Sequence, residues 1–303
     1  FRMTTTITGK FDGYVNDFDL KGIRFSTTDT EGFADKPTSH NGGISGELDG
    51  SVTGLPDSYA MMVNANVHKL TFSTHGLEKF VKGWAPSVNL DLDKFCKGER
   101  LTFRGRASGP LNRLHAHGTM HTDFGKADLN ITLRNVIDPN RPLEIGGSAS
   151  TERLDIGRIM AGIPVGECDM RTGLNATFAK DSLGIVLDSL YVDGLDVLGY
   201  KYSNIAGVGT FSKAAFEGRI VCSDPKLNFL FQGIFSLSSK TKNALYQFYA
   251  NLGYADLHAL NIDKRGVSKM SLSTQANFTR ISGEDIIGNI SIKDVMLEDE
   301  HGR

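Results

Sequence analysis

Apolar and polar residues alternate with a period of two along most of the chain, the spacing of strands with one buried face. The clearest run is FEGRIVCSDPKLNFLFQGIFSL, residues 216–237. In its second half Leu227, Phe229, Phe231, Phe235 and Leu237 share a side, with Gly233 in their line and Asn228, Gln232 and Ser236 opposite. In its first half Phe216, Gly218, Ile220 and Cys222 oppose Glu217, Arg219 and Val221. Ser223-Asp224-Pro225 between them predicts a turn, because proline fixes φ and aspartate bonds the backbone that follows it. Glycines inside strands mark bulges, bends or close backbone approach. The run therefore predicts a strongly bent antiparallel sheet with one greasy and one wet face.

The same alternation recurs from end to end. Ile44, Gly46, Leu48, Gly50 and Val52 line one side of a strand that the turn at Leu55-Pro56-Asp57 closes. Further strands are predicted at 61–67, 70–73, 88–92, 101–107, 111–120, 127–133, 174–178, 183–192, 207–211, 269–278 and 287–297. Three short helices break the pattern. One is predicted at 76–84, where Leu77, Phe80, Val81 and Trp84 recur at helical spacing. A second is predicted at 152–162 on Leu154, Ile156, Ile159 and Met160. The third, at 241–252, has Thr241 as its cap and Gly253 as its stop. KADLNITL at 126 resembles KLNFLFQG at 226, and LNATF at 174 resembles QANFT at 275. DSLYVDGL at 188 likewise resembles NISIKDVM at 289. This echo at a separation of roughly 100 residues divides an elongated 1–303 segment into modules at 101–200 and 201–303 after a section 1–100, or arises from strand composition alone.

Bulk properties narrow the class. With 303 residues, 34 glycines and a net charge of −2, the chain is long enough for one large all-β domain or two smaller ones. Its charge argues against a broad nucleic-acid-binding face. No stretch approaches the 18 or so consecutive apolar residues of a membrane-spanning helix, and no signal peptide is visible. The chain opens on Phe1-Arg2-Met3 and closes on His301-Gly302-Arg303, which reads as a segment of something longer. Cys96, Cys168 and Cys222 lack CxxC spacing and read as small buried hydrophobes, with one disulfide as the alternative.

Candidate chemistry is sparse. His115, His117, His121 and Asp123 share one side of a strand, and their donors suit zinc or nickel. Same-side residues along one strand point in parallel and rarely converge on an ion, so a water-facing row is the better reading. Asp12, Asn16, Asp17 and Asp19 lack the spacing of a calcium loop and read as a polar turn. Gly207-Val208-Gly209 is too short for a dinucleotide fingerprint, and no nucleophile elbow, HExxH or Walker loop is present. Paired carboxylates for glycoside hydrolysis converge only in three dimensions and stay open. The greasy face must be covered by curling, by a second stacked sheet, or by an apolar ligand.

Three stretches carry a family resemblance: GGISGELDGSVTGLPD (42–57), IVCSDPKLNFLFQGIFSL (220–237) and YQFYANLGYADLHALNIDKRG (246–266). On these the chain resembles the TamB branch of the AsmA-like proteins, bridge-like lipid-transfer proteins of the cell envelope of double-membraned bacteria. The resemblance implies an all-β fold, an elongated sheet curled lengthwise into a half-open trough with an apolar interior. It implies a non-catalytic segment without cofactor in the periplasm, from a longer protein anchored in the inner membrane. Its partners would be phospholipid acyl chains, with an outer-membrane barrel partner engaged through regions absent here. Phe103, Leu129, Ile131, Leu133, Phe216, Ile220, Leu227, Phe229, Phe231, Phe278, Ile290 and Ile292 would line the groove. Two other readings are weighed against this one. The first is a scaffold that templates the strands of outer-membrane proteins by augmentation. The second is a secreted carbohydrate-binding or adhesive β domain, for which Trp84 is the lone tryptophan.

Overall fold

A computed structural model of the chain describes residues 3–29, 43–73, 76, 100–138, 140–159, 165–179, 183–212, 215–236, 244–264, 266, 268–282 and 285–299. Among these, strands dominate and one four-residue helical turn, α1 (Ile156–Ile159), is present. The all-β class expected from the alternation holds. The chain gathers into two compact units, one formed mainly by residues 1–154 and one mainly by residues 162–176 and 182–303.

The first unit is an antiparallel meander of eight strands: β1 (Met3–Tyr14), β2 (Asp17–Asp29), β3 (Ile44–Thr53), β4 (Met62–Ser73), β5 (Arg100–Pro110), β6 (Arg113–Thr122), β7 (Gly125–Arg134) and β8 (Leu143–Glu152). Each pairs with the strand before it. The short β9 (Leu154–Asp155) precedes α1. The second unit continues with β10 (Val165–Phe178), β11 (Leu183–Val197), β12 (Tyr200–Tyr202), β13 (Ile205–Ser212), β14 (Ala215–Asp224), β15 (Leu227–Ser236), β16 (Ala244–Asp256), β17 (Ser268–Ser282) and β18 (Asp285–Asp299). β11 takes both β12 and β13, and from β14 onward every strand again pairs antiparallel with its predecessor. β10 bonds to β11 through Arg171 to Asp193, Asn175 to Asp188, and Thr172 Oγ1 donating to the Ser189 carbonyl. In neither unit do the described registers join first strand to last, so neither sheet closes into a barrel.

Several expectations change. The helix expected at 241–252 is strand β16 over most of its length, because its apolar residues also satisfy a period of two. Tyr246 meets Phe278 and Phe248 meets Phe231 across the ladder, contacts that a helix could not make while pairing on both sides. The helix expected at 152–162 shrinks to β9 and the single turn α1, its residues 160–162 lying outside the described ones. The helix at 76–84 (beyond Gly76), the strand at 88–92, Trp84 and Cys96 also lie outside them. The pair of strands at 61–67 and 70–73 is one strand, β4, interrupted by a bulge between Val67 and Leu70.

Candidate functional site

Direct cross-strand partners point to the same side of a sheet, so the registers sort each unit into two faces. In the first unit Phe25, Gly46, Leu70, Phe103, Met120 and Ala127 form one continuous row of partners from β2 to β7. Phe103 is 8% exposed and packs with buried Ile44, Ala65, Val67 and Phe72. Leu129 lies opposite Gly118 and Ala149, Ile131 opposite Ala116 and Gly147, and Leu133 opposite Leu114 and Ile145. All three are half-buried. Phe103, Leu129, Ile131 and Leu133 therefore share the apolar face.

The second unit repeats the arrangement. Phe216, Ile220 and Cys222 on β14 oppose Phe235, Phe231 and Phe229 on β15, which meet Tyr246, Ala250 and Leu252 on β16. Phe278 on β17 opposes Tyr246, and Ile290 and Ile292 on β18 oppose Ala276 and Thr274. Leu227 joins this side opposite Ala255. Phe216 is buried, and Ile220, Leu227, Phe229, Phe231 and Phe278 are half-buried. Ile290 and Ile292 are each 58% exposed.

An aromatic chain crosses this face nearly at right angles to the strands. Ring centroids lie 4.6 Å apart for Phe211–Phe216, 5.9 Å for Phe216–Phe231, 5.4 Å for Phe231–Phe248 and 4.7 Å for the stacked pair Tyr246–Phe278. Phe235 links the two halves, 5.1 Å from Tyr246 and 6.2 Å from Phe248. Such contacts favour offset or tilted geometry. The rings need a floor without side chains. Gly218 supplies it: a Cβ there would sit 2.8 Å from the Phe216 ring and 2.3 Å from the Val208 carbonyl oxygen. At Gly233 φ is 142°, a conformation reserved for glycine, and an added Cβ would meet Phe248. Phe211, Tyr246 and Phe248 were missed from sequence. For Tyr246 and Phe248 the signal was present as alternation through 244–252, masked by the helical reading of that stretch, whereas Phe211 ended the strand predicted at 207–211 without being assigned a side.

One end of the second unit is closed by a polar knot over a small core. Leu260 is fully buried with Tyr202 and Ala255, against Leu195, Val197 and Leu227. Beside them Asp224, 6% exposed, accepts hydrogen bonds from Tyr200 Oη at 2.6 Å, Ser203 N at 2.9 Å, Ser203 Oγ at 2.8 Å and Lys226 N at 2.8 Å. Burial pushes its carboxyl up, but these four donors outweigh it and hold the group below the usual carboxylate value. Burial and the facing Asp224 drive the Tyr200 hydroxyl up. Lys226 Nζ donates to Asp256 at 3.0 Å, and Asp256 accepts the Ala259 amide. Asp224 was legible as a turn residue; its partners 21 to 24 positions away were not. Both Asp224 oxygens accept two hydrogen bonds from within the chain and each Asp256 oxygen accepts one, so the knot reads as structural.

The remaining candidates separate. His115, His117 and His121 line the polar face of β6, and no described cluster of histidine, cysteine and carboxylate has the arrangement to hold a metal. Asp12, Asp17 and Asp19 lie on the paired ends of β1 and β2, where Asp12 faces Asp19 and bonds Lys21 at 3.5 Å. Cys168 and Cys222 are free and buried, and desolvation raises the Cys168 thiol to about 11. They behave as inert small hydrophobes. A shallow pocket of about 190 Å³ opens on the polar face of β11, β13 and β14, between Tyr191, Val208 and Arg219. No known protein family, curated protein or solved structure matches the chain.

Proposed function

We propose that the chain is a non-catalytic segment that shields lipid acyl chains on its apolar faces, as the resemblance to the TamB branch of the AsmA-like proteins implies. Each sheet would curl about the chains as a half-open trough in the periplasm, part of a path between inner and outer membranes. One observation carries the reading. In each unit a row of large apolar side chains runs unbroken from strand to strand along one face, while in the second unit Tyr191, Val208, Leu230, Ile234 and Tyr249 stand among polar residues on the other. Much of that face is only half covered by the described protein.

The energetics suit a conduit. Each methylene withdrawn from water contributes about 0.8 kcal/mol, so partial contact with an acyl chain solvates it without fixing its position. A face of aromatic and aliphatic groups offers no register to a sliding methylene chain, and the head group stays in water. Phospholipid is expected to co-purify with the protein and to appear in native mass spectra or solvent extracts. Phe231→Arg should abolish it, since a buried unpaired charge lies in the path, while Phe231→Leu should retain it. Lipid carried equally by Phe231→Arg would sink the proposal.

A second reading has its own support. β18 spans 15 residues, among the described residues its ladder runs to β17, and Val295, Met296 and Leu297 on it are exposed. An exposed apolar edge is a template for another strand, as an assembly scaffold for outer-membrane β proteins would need. Strand addition is indifferent to a charge at position 231 and sensitive to proline within β18. Those two variants separate the readings.

A further inference from the structure

Strands β4, β5 and β6 contain no aspartate or glutamate, in a chain whose net charge is −2. The hairpin Arg100–Thr122 carries four arginines and three histidines over the same span. Alternation puts these on the side opposite Phe103, and Arg104, Arg106, Arg113, His115 and His117 are all exposed. Arg106 lies directly opposite His117, with Asn66 on its other flank. Arg104 faces the β4 bulge, where exposed His68 and Lys69 take the place of one residue. Arg113 lies directly opposite Arg134.

Basic groups set directly across from one another destabilise a sheet, so the arrangement calls for an anion. The carboxylates at its margins already have partners, and of the described basic groups in the array only His68 takes one of them. Glu47 pairs with Arg24 at 3.1 Å, Asp49 with His68 at 2.6 Å, and Asp128 with Thr119 at 2.6 Å and Lys126 at 3.3 Å. Glu144 stands across from Arg134, and Glu152 bonds Lys126 at 3.4 Å. Arg104, Arg106 and Arg113 form no ion pair with a described residue.

We propose that this polar face of β4–β6 docks on a bilayer surface bearing anionic phospholipids. Charge complementarity identifies the partner class, and the layout selects within it. The basic groups are spread over three adjacent strands about 4.8 Å apart, Lys69 on β4, Arg104 and Arg106 on β5 and Arg113 on β6, with same-side residues about 6.7 Å apart along each, an open array suited to many phosphates. Phe, Tyr and Trp are missing from this side of the three strands, so nothing stacks bases as single-stranded nucleic acid requires. Apolar groups on this side, exposed Met62 and its partner Pro110, sit at one end of the strands, and its centre lacks the apolar anchors that a protein interface requires. The proposal stands apart from acyl-chain shielding, which concerns the opposite face.

The test is flotation of the full chain with vesicles of phosphatidylcholine alone or mixed with phosphatidylglycerol. Binding is expected only to the anionic vesicles and should fall steeply as salt is raised. Each arginine neutralised should weaken it roughly fivefold, so Arg104→Gln with Arg106→Gln should lose roughly 25-fold. Arg24→Gln, outside the patch, should change nothing. Equal binding to neutral vesicles, full displacement by inorganic phosphate, tighter binding of duplex DNA, or an unchanged double variant would each overturn the proposal. Should the double variant not fold, the lipid and salt dependence of the natural chain still decides. Because the readout is vesicle binding, its failure leaves lipid co-purification and Phe231→Arg to be judged separately.

Discussion

Asp224 shows how one side chain holds a corner of the fold together. Its four donors come from three residues on two segments, Tyr200 and Ser203 around β12 and Lys226 in the turn after β14. Asp224→Asn keeps the shape but turns an amide against those donors, so a loss of about 2–3 kcal/mol is expected. The folded carboxyl titrates below its unfolded value of about 3.9. Its contribution is therefore fully present above that value and is lost as pH falls through the lower, folded one. Denaturant titrations should show wild type and Asp224→Asn differing fully at pH 7 and converging progressively below pH ~4. Leu198 is the opposite case. It sits at φ 53° in the turn before Gly199, half exposed, a conformation costly for a branched side chain. Leu198→Asn is expected to raise stability by about 0.5–1 kcal/mol, read as a higher melting temperature.

At the scale of elements, periodicity told most where the face is simple and least where two periods coincide. The strand pair 216–236 was legible in its alternation, because apolar spacing, glycine and proline agree there, though the turn expected at Ser223-Asp224-Pro225 falls at Pro225-Lys226, with Ser223 and Asp224 still paired across the ladder. Segment 244–252 was not. Ala244, Leu245, Phe248 and Leu252 satisfy helical spacing, while Tyr246, Phe248, Ala250 and Leu252 satisfy strand spacing. Pairing with β15 and β17 decided between them, and pairing is not visible in a local window. The bulge in β4 escaped for the same reason, since the extra residue is defined only against its partners. Gly218 gives this level a test. Gly218→Val puts methyl groups where the Phe216 ring and the Val208 carbonyl lie, and a loss of about 3 kcal/mol or failure to fold is expected. Gly184→Ala on β11, where an added Cβ meets nothing within 4 Å, should be nearly silent.

Across the whole molecule the design principle is a division of labour between faces, repeated in two units. Which residues share the apolar side was readable from sequence, because a period of two assigns sides without knowing the neighbours. How charge gathers on the other side was not, since Arg106, His117 and Asn66 come together only through the register. Ile290→Lys tests the separation of stability from function. The side chain is largely in solvent, so the melting temperature should hold while bound lipid falls.

Pairing each strand with the one before it also dictates how such a protein assembles. Contacts form between near neighbours in sequence, so little loop entropy is spent before each new hairpin finds its place. Growth can proceed one strand at a time from whichever hairpin forms first, each finished strand serving as the mould for the next. A chain built this way can order itself progressively as it emerges from a ribosome or a secretion pore, without waiting for its far end.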